Sequence, residues 1–437
     1  MKGRLYTLVL LTLLLLSALT APASGSDRWE APFAIIEATV GVDDSVLTLP
    51  ELLHLVATRN PLLPSLDLRR EAAQGEITQA GVRPNPELEA ELGGVTWDTP
   101  GFDESEIGVS LSQEFELFGQ RGARRKVAEA EWQTSEFDAR VAAFDLYLET
   151  RVRYFALAHA QVQYDLSDIS IGLAEDIVAT IQQRIEQGAA LQSELLLAQL
   201  ELQRARLASG EVELDFETAQ ISLASLWAGD PGIRVVVPAE PDFKSVLDRI
   251  TESIADSTRE LITLDRHREE LKAQRYLADA EAKPNLTLSS GYTRLVADKS
   301  NSLMFGISLP LPFRDQNHGV LQSLDAEIQR IDFERRQAQI ESMAAVASGL
   351  ARLRQLNNRH TALNAELLPT AEETYQTMQV LYQSGRLPYT NLLEANRALV
   401  ELRFERNDIV LAFREQIIAM ERLGGKILQA HEETNND

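Results

Sequence analysis

Glu106-Ile107-Gly108-Val109-Ser110-Leu111-Ser112-Gln113-Glu114-Phe115-Glu116-Leu117 alternates along its whole length: the odd positions are apolar except Gln113, and the even ones are polar or glycine. A period of two belongs to a β-strand with one apolar face. Upstream, Leu88, Ala90 and Leu92 alternate with Glu87, Glu89 and Glu91 in the same way. The pair recurs around Leu286–Tyr292 and Leu303–Leu311, where Leu303, Phe305, Ile307, Leu309 and Leu311 hold the odd places. Polar loops Thr96–Ser105 and Arg294–Ser302 make each pair a hairpin. Strands of about ten residues are long enough to cross a bilayer when tilted. A half-buried sheet in water alternates too, but two hairpins separated by long helical tracts need helices to cover their apolar faces. Four strands cannot close a barrel alone, so the membrane reading requires an oligomer.

The recurrence extends beyond the strands. Arg83-Pro84-Asn85 returns as Lys283-Pro284-Asn285, Gly108-Val109-Ser110-Leu111 as Gly306-Ile307-Ser308-Leu309, and Gln187-Gly188 with Leu195 and Ala198 as Ser384-Gly385 with Leu392 and Ala395. The offsets are 200, 198 and 197 residues, so the chain reads as a duplicated unit. The expected organisation is a signal peptide over 1–23, a first repeat over 24–227, a linker over 228–244, a second repeat over 245–425 and a tail over 426–437.

Most of the remainder reads as helix. From Gly122 to Glu186 there is no proline, and Val127, Val141, Leu148, Phe155, Val162 and Ile169 form a heptad column broken at Thr134, which predicts nearly one continuous helix. The return segments carry seams of alternating large and small residues, such as Leu195, Ala198, Leu202 and Phe216, and Leu392, Ala395, Leu399 and Phe413. Such seams suit close antiparallel helices. Gly188 and Gly385 follow helical runs and supply the left-handed conformation that ends a helix, while Ser193 and Thr390 are expected to cap the restarts. Pro61 and Pro64 are expected to break an opening helix over Leu49–Val82.

Lys2 and Arg4 precede an apolar run from Leu5 to Leu19 and a small-x-small site at Ala21-Pro22-Ala23, the pattern of a secretory signal peptide. Composition narrows the function. A net charge of −24 disfavours a nucleic-acid partner. The absence of cysteine excludes disulfides, thiolate metal sites, thiol catalysis and an N-terminal lipid-bearing cysteine. The six histidines have no metal-ligand spacing, and no nucleophile elbow, P-loop, HExxH or dinucleotide signature is present, so neither enzyme, cofactor nor bound metal is expected.

Two copies of helix, hairpin, very long helix, glycine turn and return helix resemble the TolC family of outer-membrane efflux ducts over nearly all of the mature chain. Arg83-Pro84-Asn85-Pro86-Glu87-Leu88, the run from Gln113 to Arg124, and Leu309-Pro310-Leu311-Pro312-Phe313 with Asn317 and Gly319 are similar to the CzcC-like heavy-metal cation branch. The resemblance implies a mainly α fold with a small β part. Three protomers give four transmembrane strands each to one barrel, continued by a long antiparallel helical barrel across the periplasm. It further implies a homotrimer in the outer membrane of a Gram-negative bacterium, in contact with lipid through Ile107, Val109, Leu111, Phe305, Ile307 and Leu309. Its partners would be a periplasmic adaptor and an inner-membrane pump of the resistance-nodulation-division type. Adaptor docking would fall on Gly188, Ala189, Ala190, Leu191 and Ser193 and on Gly385, Arg386, Leu387 and Thr390. A pore constriction of Asp-x-x-Asp pattern maps to Asn391 and Glu394, where one acid is missing, and gate contacts map to Tyr382, Arg386 and Glu194. The alternative is a periplasmic coiled-coil adaptor or a structural protein of an export complex, which would share the signal peptide, helical hairpins and acidity but not four isolated membrane-length strands.

Overall fold

The computed structural model describes residues 46–94, 105–253 and 258–425. The expected signal peptide and tail, and all of the first hairpin loop except Ser105, lie outside the described residues. In chain order the elements are β1 (Val46–Leu47), α1 (Leu49–Arg59), α2 (Leu62–Ala80), β2 (Glu87–Gly93), β3 (Glu106–Phe115), α3 (Gln120–Glu186), α4 (Gln192–Ala224) and β4 (Arg234–Val235). They continue with α5 (Phe243–Ser253), α6 (Arg259–Glu281), β5 (Leu286–Leu295), β6 (Ser300–Ser308), α7 (His318–Ala362), a π-helical segment (Leu363–Leu367), α8 (Leu368–Gln383) and α9 (Tyr389–Gly424).

One four-stranded antiparallel sheet carries both hairpins in the order β2-β3-β5-β6. Its register lines up one face: Ala90 is opposite Val109, Val109 opposite Tyr292, and Tyr292 opposite Leu303. Leu88, Ile107, Leu111, Leu288, Phe305 and Ile307 share that face and are all exposed, Phe305 and Ile307 by 79% and 76%. The other face presents Glu89, Ser110, Gly291 and Met304. Leu309 and Leu117, expected within strands, follow the ends of β6 and β3 at Ser308 and Phe115. Leu309 precedes Pro310, whose missing N–H suits the end of a ladder. The second hairpin is longer than its alternation suggested, because β5 runs to Leu295 and pairs with Ser300.

Each strand continues into a helix, so the strand order sets the helix order. Beneath the sheet, α2 packs on α3, α3 on α6 and α6 on α7; farther along, α4 packs on α3, α3 on α9, and α9 on α7 and α8. The spine is α3, whose 67 residues extend about 100 Å at 1.5 Å per residue. In its expected column Leu148 and Phe155 are buried, but Ile169 is 55% exposed, because a strict seven-residue repeat drifts around a straight helix.

A belt at mid-length joins the repeats. Within the segment expected to be only a linker, β4 pairs in parallel with β1. Against this pair pack Leu52 and Val56 of α1 with Leu148, Leu157 and Leu223, while Phe243, Val246 and Ile250 of α5 meet Leu353, Phe413 and Ile417. α1 begins with a capping box in which Thr48 and Glu51 satisfy each other's backbone amides. The opening helix breaks at Asn60-Pro61, whereas Pro64 sits in the first turn of α2, where a missing N–H costs nothing. The second long helix departs from the first: the π segment interrupts it just before Pro369, which lacks the N–H an α-helix would use there.

At the belt, Arg151 of α3 is paired with Glu421 of α9, and both side chains are fully buried. Removing one partner breaks an ion pair held in a low dielectric. Glu421→Ala should therefore destabilise the fold by about 3–5 kcal/mol, and replacing both residues by methionine by much less; chemical unfolding followed by circular dichroism measures the difference.

Candidate functional site

At the end of the molecule opposite the sheet, the α3–α4 and α8–α9 turns lie side by side. Both are Schellman closures. Gly188 has φ 72° and Gly385 φ 74°. In the first turn the amide of Gly188 donates to Ile185 and that of Ala189 to Arg184; in the second, Gly385 donates to Tyr382 and Arg386 to Leu381. The 6→1 and 5→2 bonds consume carbonyls that the helix ends leave free. Ser193 and Thr390 do not cap the restarts: α4 and α9 have Leu191 and Pro388 at their N-caps without side-chain hydrogen bonds, and the hydroxyl residues lie just inside the helices.

A shared apolar cluster fuses the turns into one tip. Ile181 of α3, Leu195 and Ala198 of α4, Tyr382 of α8, and Tyr389 and Leu392 of α9 are buried together. The two tyrosine rings meet edge to face at 6.0 Å. The Tyr382 hydroxyl donates to Glu194 Oε2 at 3.0 Å, so two of the three expected gate residues are in contact. Burial, followed by the Glu194 hydrogen bond and charge, pushes the Tyr382 phenol well above its ordinary value. Burial and then the Glu201 charge push Tyr389 up to about 12.

The cation of this network is Arg184. Its guanidinium stacks over the Tyr382 ring at 4.3 Å, donates to the Tyr382 carbonyl, and reaches Ala189 O at 2.9 Å. One side chain thereby ties the first turn to the second. Arg386, expected in this role, is exposed and engages no side chain of the same protomer among the described residues. Nothing in the internal repeat marks Arg184, since its counterpart in the second turn is Leu381. The available clue was a basic residue in a helix's last turn.

Of the remaining candidates, Gly188, Ala189, Leu191, Ser193, Gly385 and Thr390 are exposed at the tip, while Ala190 and Leu387 are half-buried. Asn391 is half-buried and Glu394 exposed one turn farther into α9. Among the described residues no group of three or more His, Asp or Glu is placed to hold a metal ion, and no helix is long and apolar enough to cross a membrane.

A single chain with two helical hairpins fused at their tips below one four-stranded sheet defines an efflux-duct protomer, and the comparisons agree. The chain belongs to the outer membrane efflux protein family, whose pattern matches residues 52–229 and 257–425. Its place is the outer membrane, and it is not an enzyme. The cobalt-zinc-cadmium resistance protein CzcC of Cupriavidus metallidurans is 24% identical over 398 residues, covering 87% of this chain and 90% of its own. The pyoverdine export outer membrane protein OpmQ of Pseudomonas aeruginosa is 26% identical over 404 residues, 82% of each. The solved structure of the channel CusC superposes with a TM-score of 0.72 at 18% identity, over 85% of this chain and 91% of that one. The adaptor alternative is thereby set aside.

Tyr382→Phe removes the donor to Glu194 and should weaken the tip by about 1–3 kcal/mol, read as faster hydrogen exchange in α8 and at the second turn. Because the folded state holds both phenols protonated above their ordinary value of 10.0, their contribution is complete below about pH 10; that of Tyr389 is lost as the pH rises through about 12, and that of Tyr382 at higher pH still. A thermal-melt series across that range measures the loss.

Proposed function

We propose that this protein is the outer-membrane exit duct of a tripartite efflux system and passively conducts heavy-metal cations delivered by an inner-membrane pump through a periplasmic adaptor. The observation that carries the reading is the pairing of a membrane-length sheet open at both edges with a helical tip fused from two turns. Three copies join β6 of one to β2 of the next and close a barrel, as a spanning sheet requires. The apolar face of Ile107, Val109, Leu111, Phe305 and Ile307 meets lipid, and the polar face lines the lumen. The helices continue as a barrel into the periplasm and end at the tips, where Gly188, Ala189, Ala190 and Leu191 with Gly385, Arg386, Leu387 and Thr390 receive the adaptor. Three-fold symmetry turns Glu394, with Asn391 and Glu194 nearby, into an acidic mouth that concentrates cations. Tyr382, Glu194 and Arg184 hold that mouth within each protomer, which leaves Arg386 free to reach a neighbour.

Similarity to CzcC favours metal cations as cargo, and similarity to OpmQ favours a siderophore as the competing cargo. Expression with its cognate adaptor and pump in a host lacking its own duct separates them: restored growth in cobalt, zinc or cadmium supports the first, and restored siderophore export without metal tolerance supports the second. In planar bilayers Glu394→Gln should lower cation preference, whereas Glu211→Gln, on α4 remote from the tip, should leave it unchanged; equal effects would remove Glu394 from the mouth.

The strand-face assignment has its own test. Val109→Arg should cost about 2–4 kcal/mol if the residue lies near the bilayer midplane, and Ser110→Arg on the opposite face much less. Unfolding from lipid vesicles measures both, and equal costs would reject a lipid-facing Val109.

A further inference from the structure

All four crossings between sheet and helices carry a basic residue. Arg83 lies four residues before β2, Arg121 six after β3, Lys283 three before β5, and Arg314 six after β6. Because the strands are antiparallel neighbours, these positions all lie at the end of the sheet where it meets the helical layer, which forms a rim. Lys283 is paired with Asp279 at 3.1 Å. Arg83, Arg121 and Arg314 are exposed and hold no carboxylate, ring or carbonyl among the described residues, although acids outnumber bases 66 to 42 in the chain. The acids nearest to Arg121 and Arg314 are already engaged: Glu116 with Arg124, and Asp315 with the amide of Asn317 at 3.1 Å.

The same rim is apolar. Leu117 follows β3, and Leu309, Leu311 and Phe313 follow β6, and all four are exposed. Phe313 is 83% exposed, more than any large apolar residue on the strands, and Leu311 is 62% exposed. An apolar side chain continuous with a membrane-length face, followed at once by an unpaired cation, matches the boundary of a bilayer, where acyl chains give way to phosphate.

We propose that the rim binds the phosphate headgroups of anionic glycerophospholipids in the periplasm-facing leaflet, with Leu311 and Phe313 seated among the acyl chains and Arg83, Arg121 and Arg314 bonded to phosphate oxygens. This rests on the lipid-facing assignment of the strand face above. Guanidinium suits the task because it stays charged and offers paired donors to phosphate. Repeated around a three-fold axis, the arginines form a collar that fixes how deeply the duct sits in the membrane.

The test uses the full-length protein released from phosphatidylglycerol and phosphatidylcholine mixtures, with retained lipids counted by native mass spectrometry. The wild type should retain phosphatidylglycerol several-fold over phosphatidylcholine. Arg121→Gln with Arg314→Gln should bring that ratio close to one, and Phe313→Ser should lower retention of both lipids with the ratio unchanged. A wild type without preference, or an unchanged ratio in the arginine variant, overturns the proposal. Displacement of phosphatidylglycerol by excess inorganic phosphate also overturns it, because the site would then hold a free anion rather than a leaflet. If Val109→Arg is as well tolerated as Ser110→Arg, the strand-face reading fails first, so the two failures are distinguishable.

Discussion

Along the outer sides of β2 and β6 a row of backbone N–H and C=O groups has no strand partner among the described residues, and in hydrocarbon each such group costs several kcal/mol. The arrangement below the sheet follows from this requirement. Since α2, α3, α6 and α7 extend the strands one for one, any neighbour that pairs with the sheet edge must also lie beside α2 or α7. Strand pairing and helix packing are a single geometric condition. A change in strand register would therefore shift the helices as well as the face that meets solvent or lipid.

Period-two and period-seven patterns were legible because they record burial on one face, and that is why the strands, the long α3 and the seams around Leu195 and Leu392 stand out in the sequence. Elements without periodicity were not legible. β1 and β4 are two residues each, too short to alternate, and exist because Val46 and Leu47 find Arg234 and Val235 across the belt. The π segment is equally silent, since a proline at 369 forecasts a kink but not an inserted residue. At the tip, the glycines were readable from their conformational role and Tyr382 with Glu194 from the family resemblance. Arg184 was not, because its importance comes from the carbonyl and ring of Tyr382, 198 residues away.

The tip also shows how a small amount of specific bonding acts on a long lever. The α3 and α8 helices approach the turns as nearly independent rods, and an apolar cluster alone would let them slide. Arg184 removes that freedom by bonding both turns through their backbones and stacking on the ring between them. The two loops thus present one surface whose shape does not depend on which side chains later decorate it.

The pairing of Arg151 with Glu421 joins residues 270 positions apart, and the amide of Asn407 reaches back to the carbonyl of His159 across 248. A ribosome and a secretion channel deliver the chain from its N-terminus, so the middle of α3 emerges long before the helix that neutralises its buried arginine. Until α9 arrives, that stretch of α3 lacks the carboxylate of Glu421 beside its buried arginine, and contacts of such wide separation close slowly. A helix made late is therefore the one that commits the first long helix to its final place, and a chain truncated before Glu421 would lack a contact on which an already synthesised spine depends.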